Sequence, residues 1–166
     1  MPATVFTILE ALTPESDVVV LVSALLHAPF YFYVSYAMIR YLFHDMKVTR
    51  DELFATAAAF TVVAWGFAYV YAATQEVFPG SFIAASDAHH RAWYELLFLS
   101  FSVLTSVGLS DVVPVLPQAR SFAIIEMVAG VLYVALVVAR LVGLTVARPG
   151  SVGEDPFEEQ DPPRPR

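Results

Sequence analysis

Three stretches of this chain, 17–43, 53–73 and 121–144, are each as long and as apolar as the ~20 residues a helix needs to cross a lipid bilayer. Nothing else in the sequence constrains the fold so strongly. Inside hydrocarbon every backbone N–H and C=O must find its partner within the segment, so such a stretch is a helix. The composition agrees: 58% of the residues are hydrophobic and the mean hydropathy is +0.64, above the range of soluble domains. The first stretch is broken only by His27, Pro29 and Arg40, and Pro29 predicts a kink, because its ring removes one backbone bond and crowds the preceding turn. The second ends in Trp65, Phe67, Tyr69 and Tyr71, rings that suit a membrane–water boundary. The third is interrupted by Glu126 and Arg140.

Between the second and third stretches lies "YELLFLSFSVLT", residues 94–105, which is apolar and helix-compatible but too short to cross a bilayer. It runs into "SVGLSD", an irregular stretch that is tolerated at membrane depth only where protein or water covers it. The segment therefore reads as a re-entrant half-helix followed by a loop.

The formal charge of -7 is concentrated at one end, where Glu154, Asp155, Glu158, Glu159 and Asp161 sit in "SVGEDPFEEQDPPRPR". That composition predicts disorder. There is no cysteine, which excludes disulfides and thiolate metal sites. Arg40, Lys47 and Arg50 flank or occupy the 44–52 loop, and Arg140 and Arg148 lie at and beyond the end of the third stretch. Residues 1–16 carry no Lys or Arg, which with the length of the first apolar run argues against a signal peptide, and 74–93 carries only Arg91. The positive-inside rule then predicts a cytoplasmic 44–52 loop and C-terminus and an external N-terminus.

From Thr105 onward, "TSVGLSDVVPVLPQARSFAIIEMVAG" resembles without gaps the filter and inner helix of the potassium-channel superfamily: Thr-x-Val-Gly, an Asp, a Pro three residues on, an Arg and a mid-helix Gly. "FPGSF" and "ARLVGL" also resemble small bacterial members. The resemblance covers 53–145. Together with the apolar 17–43 span it implies an all-α membrane protein of three transmembrane helices plus a re-entrant pore helix and selectivity-filter loop, assembled as an oligomeric pore. The expected order is an extracellular segment 1–16, an extra transmembrane helix 17–43, a cytoplasmic loop 44–52, an outer helix 53–73 and a turret 74–93. A pore helix 94–105, a filter 105–111, an inner helix 120–144 and a tail 146–166 follow. The 17–43 span lies outside the resemblance, and it lacks the Arg ladder of a voltage sensor.

The resemblance assigns ion coordination to the carbonyls of Thr105, Ser106, Val107, Gly108 and Leu109, with the Thr105 hydroxyl at the cavity end. Gly108 would permit the backbone twist, and the C-terminal end of the pore helix would face a cation. Leu109 and Ser110 stand where the family has Tyr and Gly. They imply a wider outer filter, with Ser110 strained by about 1 kcal/mol at a positive φ. Asp111 has two open readings: a carboxylate ring at the outer mouth that suits calcium, or a brace to the pore helix, where Ser102 occupies the partner position. Gly130 is the expected gating hinge, with close helix packing as the competing reading. Val131, Val134, Val138 and Val142 share a helical face that would line the cavity and gate, or else face lipid. Glu126 is expected as buried polar support, reaching Ser100 or Ser102. Arg120 would meet lipid headgroups or a neighbouring subunit, and His89 and His90 read as solvated turret residues.

The expected function is that of the pore-forming subunit of a homo-oligomeric, most simply homotetrameric, cation channel that is not potassium-selective and counts calcium among its permeant ions. A potassium-selective channel and a non-conducting membrane scaffold or auxiliary subunit are the alternatives. Calcium, potassium or sodium would be cargo and no cofactor is expected; the partners would be further copies and membrane lipids. The sequence holds no phosphate loop, no His-x-x-x-His pair, no Ser/His/Asp grouping and no basic patch for nucleic acid, so no enzyme is expected.

Overall fold

A computed structural model describes residues 17–42, 50–85 and 90–146. The expectations for 1–16, for 44–49 of the cytoplasmic loop, for His89, and for the tail beyond 146 lie outside the described residues. Among the described residues there are four helices, α1 Asp17–Leu42, α2 Arg50–Val77, α3 Trp93–Leu104 and α4 Pro117–Val146, together with two short strands, β1 Phe82–Ile83 and β2 Val113–Pro114. Three segments, Val18–Tyr41, Phe54–Val77 and Pro117–Arg140, are long and apolar enough to cross a membrane, whereas α3 is not. The architecture is an all-α membrane protein with one short helix set among three spanning ones.

Two helices run further than the apolar pattern predicts. α2 continues past Ala73 because its polar end is bonded: the Thr74 hydroxyl donates to the Val70 carbonyl at 2.7 Å, and the Gln75 amide reaches the backbone of Arg91. α4 begins at Pro117, whose fixed φ suits a first helical turn where no N–H is needed. α1 runs on through Pro29.

Side-chain pairs give the helix directions. Phe32 meets Phe67 edge-on at 5.1 Å, Tyr31 meets Trp65 at 5.8 Å, and His27 stacks on Tyr69 at 4.7 Å. His27, the earliest of these α1 residues, meets Tyr69, the latest of the α2 residues, so the two helices are antiparallel. α4 is likewise antiparallel to α2, since Glu126 meets Tyr71 while Tyr133 meets Phe60 and the Thr56 carbonyl. The α1 N-terminus, the α2 C-terminus and the α4 N-terminus therefore share one side of the membrane. Of the aromatic cluster read as a boundary belt, Phe67 and Tyr71 are instead buried and Tyr69 stacks on His27 of α1, while Trp65 stays 37% exposed.

β1 and β2 pair antiparallel, Phe82 opposite Pro114 and Ile83 opposite Val113, and Val115 N–H donates to Ser81 O at 2.9 Å. This pairing ties together both ends of the excursion that contains α3. Within it, Leu96, Leu99, Ser100 and Val103 recur at three and four residues and are buried, forming a core with Phe67, Tyr71, Phe82, Val112, Ala119 and Ala123.

Gly66 sits where α1 and α2 touch, and a Cβ there would lie 3.2 Å from the Phe32 ring. Gly66→Val is expected to destabilise this seam by about 1–3 kcal/mol. The measurement is a lower unfolding midpoint in detergent, partly recovered when Phe32→Ala makes room.

Candidate functional site

The ends of α3 are secured by a side chain of its own first turn and by the residues that flank it. At the N-terminus, Glu95 Oε2 accepts the Ala92 N–H at 2.7 Å, a carboxylate placed on the first turn where the helix dipole favours it. One residue earlier, the Gln75 side chain donates to Arg91 O and accepts from Arg91 N–H, both at 3.0 Å. These bonds tie the entrance of α3 to the end of α2.

At the C-terminus the loop itself forms the cap. Thr105 N–H donates to Phe101 O, Ser106 N–H to Val103 O, and Val107 and Gly108 N–H both to Ser102 O, all at 3.0–3.1 Å. Ser106 has φ 59. This is a Schellman cap with a serine at the left-handed position that glycine usually fills. A trans peptide points its N–H and the preceding C=O in opposite directions. Amides 106–108 face the helix end, so the carbonyls of Thr105, Ser106 and Val107 face away from it. The Thr105 hydroxyl donates to Phe101 O at 2.6 Å.

The strain expected at Ser110 is not there. The described non-glycine residues have a single positive φ, at Ser106, and Gly108 has φ 71. Ser110 instead accepts the Val112 N–H on its hydroxyl at 3.1 Å, a local turn closed by the serine side chain. Gly108, a glycine the family motif shares, is left-handed, whereas the second family glycine position, Ser110, is not.

Val107 and Leu109 are 69% and 71% exposed in the single chain, and Asp111 is exposed too. Among the described residues the Asp111 carboxylate makes no hydrogen bond or ion pair; Ser102 is buried and serves the loop through its carbonyl. Asp111 borders a hollow of about 550 Å³ lined by Tyr94, Glu95, Leu97, Phe98 and Phe101 of α3. Arg120 donates to Pro114 O at 3.2 Å, and His90 pairs with Glu76 at 2.9 Å.

Behind the loop, Glu126 is fully buried. It accepts hydrogen bonds from the Tyr71 hydroxyl of α2 and the Ser100 hydroxyl of α3, and Ser100 Oγ also lies 2.8 Å from Ala64 O. The expected contact to Ser100 is present; the one to Ser102 is not. The sequence reading takes Tyr71 only as an aromatic, although a phenol at this depth in a span needs an acceptor. One turn below Glu126, Gly130 rests directly on α3: a Cβ there would lie 2.0 Å from Leu104 O. Close packing is thus sufficient reason for this glycine, whatever bending it also permits. Val131, Val134, Val138 and Val142 are all exposed, about a third of a turn from the face that holds Glu126, Gly130 and Tyr133.

Ser106→Gly should relieve the left-handed strain and stabilise the folded protein by about 1 kcal/mol, seen as a higher unfolding midpoint. Gly130→Ala should do the reverse, by about 3 kcal/mol, because a backbone carbonyl cannot yield as a side chain can. An unchanged midpoint for Gly130→Ala would mean that α4 and α3 are not in contact there.

No curated protein and no solved structure matches the chain. A sequence profile of the family described as Ion channel matches residues 57–147, which takes in most of α2, the strand pair, α3, the loop and α4, and leaves out α1. That match spans more than half of the chain, and the protein belongs to this ion-channel family, with the two-helix, potassium-channel-like pore domain as its shared part.

Proposed function

We propose that the chain is the subunit of a homotetrameric cation channel whose ion path is formed by residues 105–111. One observation carries this reading: the loop turns the carbonyls of Thr105, Ser106 and Val107 away from α3, on a stretch exposed in the single chain. Beside it Tyr94 and Phe98 are 70% and 50% exposed on a helix too short to reach water on both sides. Both surfaces need further copies of the chain to cover them, and a closed ring supplies these with carbonyls around a common axis. The valine face at 131–142 then borders the cavity below. With α1 and α4 starting on the loop's side of the membrane, that side is external by the distribution of Lys and Arg, and the C-terminus is cytoplasmic.

Permeant cations are the cargo. Leu109 offers no hydroxyl to brace the outer loop, so the outer sites are wider than a potassium filter requires. Asp111, without a partner among the described residues, fits the ring better than the brace. A divalent ion gains about twice as much as a monovalent one from each carboxylate at equal distance, so a ring of Asp111 favours calcium.

Purified protein in liposomes, with potassium, sodium and calcium gradients in turn, tests this. The expected result is cation flux that does not exclude sodium and includes calcium. Asp111→Asn should lower calcium flux several-fold more than monovalent flux, and Leu109→Tyr with Ser110→Gly should move the preference toward potassium. Flux of potassium alone would leave a channel with a different filter; absence of flux from a well-folded oligomer would leave a scaffold.

A further inference from the structure

Glu126 is an expensive residue in a membrane span, and its contacts show what it does there. It and Gly130 lie one turn apart on the same face of α4, and both meet the second half of α3. Through one carboxyl and one hydroxyl, three helices are joined: Tyr71 and Ala64 of α2, Ser100 of α3, Glu126 of α4. Small residues Ala119 and Ala123, both buried, extend the same contact upward along α4. Two residues beyond Ser100, the carbonyl of Ser102 takes both the Val107 and the Gly108 amides. Any displacement of Ser100 therefore passes along a single helical turn to the loop.

We infer that Glu126 is a positioning residue that pins α3 between α2 and α4 and so sets the geometry of loop 105–111. Above Gly130, α4 and α3 then move as one body, and bending of α4 is confined to its lower half, where aliphatic side chains dominate. Without the pin, movement of lower α4 reaches the loop through the Gly130–Leu104 contact. The consequence for ions rests on the proposed channel function; the pinning itself does not.

Glu126→Gln keeps both contacts, since the amide oxygen accepts from Tyr71 and the amide NH₂ donates to Ser100, whose own proton remains for Ala64 O. Glu126→Leu has similar bulk and removes both. Two readings are taken on the full-length oligomer: peptide-resolved hydrogen exchange across 101–112, and the calcium, sodium and potassium permeability ratios. Glu126→Leu should speed exchange at Val107 and Gly108 roughly tenfold, as eased local opening does, with α1 unchanged. It should also shift the permeability ratios, and Glu126→Gln should restore both readings. Wild-type exchange and permeability ratios in Glu126→Leu would overturn the inference, as would faster exchange in α1 to the same degree, which marks a general loss of stability. A wild type that passes no ions, together with loop-specific loosening in Glu126→Leu, would sink the channel reading and leave the pin standing. Should Glu126→Leu fail to assemble, Tyr71→Phe and Ser100→Ala each remove one contact. Unchanged exchange in both would overturn the pin, and loop-specific loosening in either would uphold it.

Discussion

A helix of twelve residues at membrane depth leaves backbone groups at both ends that lipid cannot satisfy, and most of this structure answers that one demand. The amides of Ala92 and Arg91 that lead into this helix are met by Glu95 and by the side chain of Gln75, which explains why α2 extends beyond its apolar run. The C-terminal carbonyls are met by the amides of 105–108, so the loop is folded by the helix it caps. The β1–β2 pair closes the excursion, and Glu126 fastens the middle of α3 from behind. Remove α3 and none of these polar groups has a reason to be where it is.

Much of this was legible in the sequence, for a physical reason. Span length and the shortness of 94–105 are local properties, read directly from runs of apolar residues, and the order of helices follows from them. Glu126 announced itself because a carboxyl inside an apolar helix must find donors, and Ser100 stood at a suitable place. The other half of that pair was hidden: Tyr71 is 55 residues away in sequence, and its hydroxyl looks like any other aromatic's until the helices are docked. The same holds for Gln75 with Arg91 and for Phe82 opposite Pro114, pairs that depend on tertiary arrangement and leave no periodic trace. Trp65 to Tyr71 misled in the opposite direction. Aromatic rings suit a headgroup layer and a helix–helix seam equally, and the presence of α1 decides for the seam at Phe67 and Tyr69.

α1 lies outside the family match, yet it does not compete for the surfaces that a pore needs. It docks on α2, and its rings reach the first residue of α3 through Tyr69 and Trp93, 5.5 Å apart. The exposed α3 face and the lower face of α4 stay clear of it, open to the other copies of the proposed tetramer. An added helix placed this way changes what surrounds the pore domain in lipid without changing what meets at its axis. His27 fits that role: its Nδ1 lies 2.8 Å from Ser23 O, so the ring donates to its own helix and presents a flat face to Tyr69.

The departures from the family loop can now be weighed separately. Replacing a left-handed glycine by serine would ordinarily cost about 1 kcal/mol or more and distort the backbone. Here the left-handed positions are Ser106 and Gly108, and Ser110 is held in a turn of its own making. Backbone strain is therefore not what sets the outer loop apart. What differs is side-chain support: Leu109 is exposed and has no hydroxyl, and neither Leu109 nor Asp111 bonds to α3 among the described residues. The inner part of the loop is held by four amide bonds to the helix end, while the outer part is held by one serine hydroxyl and the β2 pairing. In the proposed pore, rigidity falls off from Thr105 toward Asp111. Discrimination between ions of equal charge, which needs fixed oxygens, belongs to the inner carbonyls. Discrimination by charge, which needs only a carboxylate near the path, belongs to the outer mouth.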